Sequence, residues 1–410
     1  MPSSTHANIR TNWTGVMFGF LLASLAAFQQ FKLPPMLPEM LAAYDYQPTL
    51  AGAFMSIYAA IGLIATLLIG RLMQRYGAIL LLAAGFGLAL SGNALALAVP
   101  GDGYVMLSAR ALEGLAFAVF AVAGPVYTTR NAAPKHLPLA IALSAMWIPV
   151  GQLAANALVP LAEITIGWRL LWLATAGATL SLGFWAISIQ IGGRASLDLK
   201  PPASAANAVP IRITGLEWAA LILGAALFTL WSAQYFAYMT WLPQFLVERH
   251  GLAPSLATLA YSVPVAILIV FGLVTSWALR KGVPVGLMLI TSMILQAGVW
   301  YALPITDTVT LGAISLVLYG VGIGFTPVCL FALPSTILGS KRSGPNAFAV
   351  LMTGRIMGVL IGPMLLPQVL LWTGQWEMSG VVFGTITALD AIGAVILTLI
   401  LVKLGRSRPD

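Results

Sequence analysis

The chain has 410 residues, of which 60% are hydrophobic and 8% charged, and its formal net charge is +8. A soluble domain carries about 25% charged residues, so this composition has too little polar surface to fold in water, and lipid is its natural solvent. The basic residues are scattered through short gaps and form no patch for nucleic acid, and the one cysteine, Cys329, excludes an internal disulfide and a cysteine-based metal site.

A bilayer core about 30 Å thick needs roughly 20 apolar residues in a helix. That length predicts twelve spans, near 13–33, 50–70, 79–99, 105–128, 138–160, 168–190, 216–241, 255–279, 284–304, 309–332, 345–367 and 378–403. The first follows a single arginine, Arg10, as a signal peptide would, but the apolar pattern resumes and repeats, which predicts an uncleaved span. Between spans two and three stands GRLMQRYG, residues 70–77. Span four holds Arg110 and Glu113, span eleven Arg355 and span twelve Asp390. The stretch 192–214 contains RASLDLKPPASAANAVPIR, whose Pro, Ala and Ser read as a flexible linker. It divides the chain into a six-helix unit at 1–191, the linker, and a second six-helix unit at 215–410.

Basic residues set the orientation. With the N-terminus inside, the tails, the linker and the loops on that side hold fifteen Lys and Arg; the other side holds three, Lys32, Arg169 and Arg249. The positive-inside bias therefore predicts both termini, the 70–77 turn and the linker in the cytoplasm. Residues 138–167 and 345–374 align at a constant offset of 207 with eight of thirty positions identical, among them Gly151/Gly358 and Pro160/Pro367. Chance in so Leu-, Ala- and Gly-rich a chain gives about three. The halves read as parallel copies of one unit, the arrangement of a transporter whose halves rock around a central site.

Twelve spans, a six-plus-six split and parallel halves resemble the major facilitator superfamily. GRLMQRYG is similar to that family's signature between spans two and three, G-x-L-x-D-R-x-G-R-R: Gly70, Leu72, Arg75 and Gly77 match, and Gln74 replaces the aspartate. The resemblance implies a gating turn that latches the cytoplasmic side, weakened here because Gln74 brings no charge; the plainer alternative is a tight turn whose arginines only set topology. In span four, MLSARALEGLAFA resembles L-x-x-x-R-x-x-Q-G-x-G, with Glu113 in the place of glutamine, and Gly167-Trp168-Arg169 resembles the turn that opens span six. WIPVGQ in span five departs from the antiporter pattern, which counts against drug:proton antiport. The chain is also faintly similar to the cyanate- and nitrate-like branches of the superfamily.

Ionisable groups deep in a span cost about 3 kcal/mol each on insertion scales and are functional candidates by default. Arg355 has Ile148 at its repeat position and no acid three or four residues away on its own helix. It is a candidate contact for a substrate carboxylate or inorganic anion; a bridge to Asp390 or Glu113, or a capping role, is the alternative. Arg110 and Glu113, three apart, can pair structurally or act as a proton-linked switch, and Asp390 is a weaker candidate for coupling, with a structural role in span twelve as the favoured alternative. The family resemblance implies that spans one, four, seven and ten line the cavity, which points to Gln29, Gln30, Gln234, Tyr235, Tyr238 and Tyr319, with Trp147, Gln152 and Asn156 of span five facing in. Trp241 is expected in the interfacial belt, and Lys32 near the outer surface, attracting anions or snorkelling.

The expected protein is therefore an all-α, multi-pass secondary transporter of the cell inner membrane, moving a small organic or inorganic anion by alternating access. Efflux of hydrophobic, drug-like compounds, with a proton as coupling ion, is the alternative. We expect a monomer in contact with lipid and a small-molecule substrate, with a proton as candidate co-substrate, no nucleic-acid partner, no cofactor and no metal. No nucleophile-and-base constellation suggests an enzyme.

Overall fold

The computed structural model describes residues 10–193, 197, 213–306, 308–339, 342 and 345–406. Helices follow the hydropathy pattern in chain order. The first half comprises span 1 (Trp13–Phe31 continuing as Leu33–Tyr44), span 2 (Pro48–Tyr76), span 3 (Ala78–Ala98), span 4 (Gly103–Arg130), span 5 (Leu137–Ala157 with Val159–Glu163) and span 6 (Arg169–Ile191). The second half comprises span 7 (Gly215–His250), span 8 (Pro254–Arg280), span 9 (Val285–Tyr301), span 10 (Val309–Leu338), span 11 (Pro345–Thr373) and span 12 (Trp376–Arg406). Most of the expected linker, 192–214, lies outside the described residues, as does the Gln74 side chain.

Several helices outrun their apolar cores, and span 1 does so most usefully. It forms a 32-residue rod from Trp13 to Tyr44, about 48 Å at 1.5 Å per residue, and stops at Asp45, whose φ of 49° is left-handed. Prolines at 34, 35 and 38 sit inside it. A proline has no N–H to give to the carbonyl four residues earlier, so Pro34 frees the carbonyl of Gln30 and makes an elbow at Lys32. In span 11, Pro367 frees the carbonyl of Pro363 in the same way, and the Trp241 indole fills the gap at 2.8 Å. Trp241 is thus buried in the protein rather than placed in an interfacial belt.

The internal repeat has a packing basis. Gly151 sets its backbone against the Ser24 carbonyl of span 1, and Gly358 sets its backbone against the Thr229 carbonyl of span 7; a Cβ at either position would collide. Small residues let the helices approach this closely, which is how apolar helices associate where water does not drive them together. The spans alternate in direction, so the start of span 1 and the end of span 12 share one face, the terminal side.

Among the described residues, the hydrogen bonds between the halves all lie on the opposite side. Gln152 donates to the Tyr261 hydroxyl at 2.8 Å, Asn156 to the Ser262 hydroxyl at 2.8 Å, and Gln368 to the Thr49 hydroxyl. Beside the last of these, Gly52 of span 2 seats on the Pro363 carbonyl of span 11, leaving no room for a Cβ.

Candidate functional site: buried charges around a two-halved interior

The elbow of span 1 gathers a cluster of charges. Arg110 of span 4 donates from Nη1 to the Gln29 carbonyl at 2.9 Å, from Nη2 to the Gln30 carbonyl at 3.2 Å and from Nε to the Phe54 carbonyl at 3.3 Å. Its guanidinium therefore caps the carbonyl that Pro34 leaves free and ties spans 1, 2 and 4 together. One helical turn on, Glu113 accepts from Arg110 and, at 2.7 Å, from the Lys32 ammonium. Lys32 also donates to Asn93 at 2.7 Å and lies 4.4 Å from the Trp172 ring centroid, while Arg110 lies 4.3 Å from that of Tyr58. Lys32, Arg110 and Glu113 are all fully buried. The expectation that Lys32 snorkels near the surface is therefore corrected. The rod continues twelve residues beyond it, which keeps the ammonium inside the protein.

The second half has a neutral counterpart. Gln234 of span 7 accepts from the Trp300 indole at 2.8 Å and from the Tyr319 hydroxyl at 3.0 Å, and donates to Gln296 at 2.7 Å. Gln296 also bonds Trp231, Ser292 and Thr326. Tyr238 stacks on Tyr319 with centroids 3.7 Å apart. Gln234, Tyr238 and Tyr319 are thus brought together, in a closed network that engages the polar atoms of Gln234 and Tyr319 and holds Tyr238 by ring stacking. Gln29 and Gln30 lie at the elbow, the Gln29 amide buried with neither atom bonded. Trp147 is half-buried against Phe117, 6.0 Å away.

Arg355 is different. Span 11 packs on span 7 through Gly354, Gly358 and Gly362, and meets span 2 at Pro363. At about 100° per residue, Arg355 projects between those two faces, toward the interior. Its Nε is buried without a partner, and among the described residues no carboxylate lies within ion-pair distance of it, so the proposed bridge to Asp390 or Glu113 does not form. The Phe331 ring lies 6.0 Å from its Cζ, and span 7, which packs directly on span 11 through those glycines, carries Tyr235. Asp390 is fully buried in span 12 with both oxygens unbonded, apart from Arg355 and from the elbow.

At the 70–77 turn, Gly77 takes a positive φ of 86° that lets span 2 end and span 3 begin without a loop. Arg71, Leu72 and Arg75 are exposed, and Arg75 lies over the Tyr76 ring at 5.2 Å. Gly70 has open space around it. Sequence reasoning missed Asn93, Gln296, Trp231 and Phe331. For Asn93 and Gln296 the signal was present: an amide inside an apolar span raises the same question as a charge.

Comparison with known proteins fits this architecture. The family model described as Major Facilitator Superfamily matches residues 19–346. A probable high-affinity nitrate transporter 2.4 from Oryza sativa subsp. japonica is 32% identical over 173 residues; the match covers 38% of this chain and only 34% of the relative's length. Among solved structures, a bacterial homolog of the human lysosomal transporter Spinster, inward-facing and unoccupied, superposes with a TM-score of 0.69 at 13% identity, covering 96% of this chain and 98% of that one. A D-xylose–proton symporter gives 0.69 at 15% identity, covering 93% and 97%. With the family model matched over most of its length and the fold shared end to end, this chain belongs to the Major Facilitator Superfamily.

Proposed function

We propose that the protein transports a small anion across the cell inner membrane by alternating access, with both termini in the cytoplasm and Arg355 as the anion's contact. The observation that carries this is the state of that guanidinium: turned inward, its Nε buried, and unpaired among the described residues. A cation without a partner is costly where water is scarce, and a carboxylate or other oxyanion supplies what it lacks, often in bidentate fashion. The nitrate transporter among the relatives moves a substrate of that charge. Tyr235, beside Arg355, completes the contact, while Gln234, Tyr238, Tyr319, Trp147, Gln29 and Gln30 shape the surrounding walls.

The bundles 1–191 and 215–410 pivot about the 192–214 linker. Among the described residues the polar contacts between them lie opposite the terminal side, which supports a conformation open toward the cytoplasm. The Gly70–Gly77 turn, with Leu72, Gln74 and Arg75, acts when that side closes. Proton coupling rests on the buried acids. Neutralising Glu113 would release Lys32 and Arg110 together and loosen the elbow; Asp390 offers a second, unpaired carboxyl.

Arg355→Gln in proteoliposomes tests the anion site. Loss of a hydrogen bond to a charged group is worth about 1.5–3 kcal/mol, which lowers uptake of the transported anion by about 10- to 150-fold. Wild-type uptake by the variant refutes the assignment. Gradient-driven uptake that keeps its pH dependence in Glu113→Gln removes that residue from coupling.

A further inference from the structure

We infer that the anion is an aromatic monocarboxylate, its carboxylate on Arg355 and its ring against Phe331 and Tyr235; this rests on the anion site proposed above and narrows it to a substrate class. Charge narrows it first. Arg355 is one positive charge, and the other buried cations, Lys32 and Arg110, are engaged with Glu113, Asn93 and the span 1 carbonyls. A second negative charge on the substrate would have no partner, which disfavours dicarboxylates and phosphate. No carboxylate among the described residues lies against Arg355 or Tyr235 to hold an ammonium, which disfavours amino acids.

Hydrogen-bonding capacity narrows it further. The Gln234 amide is occupied by Trp300, Tyr319 and Gln296. The Tyr235 hydroxyl, by contrast, bonds none of the described residues. A guanidinium with an unengaged hydroxyl on the neighbouring helix suits the two oxygens of a carboxylate. What remains around Arg355 is aromatic. Phe331 is 38% exposed although it lies beside an inward-turned arginine, and Phe228 holds it edge-on at 5.5 Å. Tyr235 is backed by Trp231, stacked at 5.1 Å and 18°, which makes a stiff two-ring platform. Such faces favour a flat π-system over an equally apolar puckered one, since aromatic pairing adds to area burial.

The test is equilibrium dialysis of the purified full-length protein with labelled benzoate, competed by cyclohexanecarboxylate, phthalate and phenylalanine, with nitrate binding measured in parallel. Benzoate should bind, and cyclohexanecarboxylate, matched in charge and size, should compete about three- to tenfold less well. Phthalate and phenylalanine should not compete. Phe331→Leu should erase the preference for the flat ring, and Arg355→Gln should erase benzoate binding. Equal affinity for benzoate and cyclohexanecarboxylate, or Arg355-dependent nitrate binding without benzoate binding, overturns the aromatic class and leaves the anion site standing. Absence of any Arg355-dependent anion binding overturns both.

Discussion

Replacing Glu113 by Gln keeps the shape of the side chain and removes its charge. In the wild type that carboxylate accepts from Lys32 at 2.7 Å and from Arg110, and none of the three residues is exposed. With glutamine, two cations face each other across a site that water does not reach. Removing one partner of a buried ion pair costs about 3–5 kcal/mol. At about 2.1 cal/mol/K of unfolding entropy per residue, a chain of this length changes by about 0.9 kcal/mol per degree, so Tm should fall by about 3–6 °C. The assay is thermal unfolding of the purified protein in detergent, followed by tryptophan fluorescence. Lys32→Met added to Glu113→Gln removes the stranded ammonium and should recover more than half of the loss, a coupling that two independent substitutions would not show. An unchanged Tm for Glu113→Gln, or a double variant no better than the single, refutes the view that the carboxylate binds the elbow's cations together.

At the seam between the halves, Gly52→Leu should drive the Pro363 carbonyl off its seat and favour opening on the far side. Cysteines introduced at Thr49 should then label from outside several-fold faster, and unchanged labelling would show that the seat does not matter. Trp241→Phe leaves the Pro363 carbonyl unpaired and should cost about 1–3 kcal/mol of stability, read as a lower Tm. For the second acid, Asp390→Asn should flatten the dependence of uptake on a pH gradient while substrate counterflow persists; a gradient response equal to wild type assigns Asp390 to structure alone.

Sequence legibility followed chain distance. Arg110 and Glu113 stand three apart on one helix, so their pairing could be read directly. Lys32 and Glu113 are separated by 81 residues, and nothing in the chain announces that they meet. Lys32 was also misplaced in depth, because a proline pair just after it looks like the end of a helix when it is an elbow within a longer one. The amphipathic pattern that betrays a surface helix is absent here, since lipid and protein interior are equally apolar. It was therefore not visible that Gln234 and Tyr319 turn into a closed network, or that Phe331 stands beside Arg355. The repeat, by contrast, was legible because backbone contact admits only glycine at Gly151 and Gly358.

The far-side seam has only three polar clasps among the described residues, Gln152–Tyr261, Asn156–Ser262 and Gln368–Thr49. Each contributes about 1 kcal/mol net, so together they resist parting by about 3 kcal/mol. A cargo held with micromolar affinity releases about 8 kcal/mol. A small fraction of that grip, applied unequally to the two postures, is enough to decide which bank of the membrane the crevice faces.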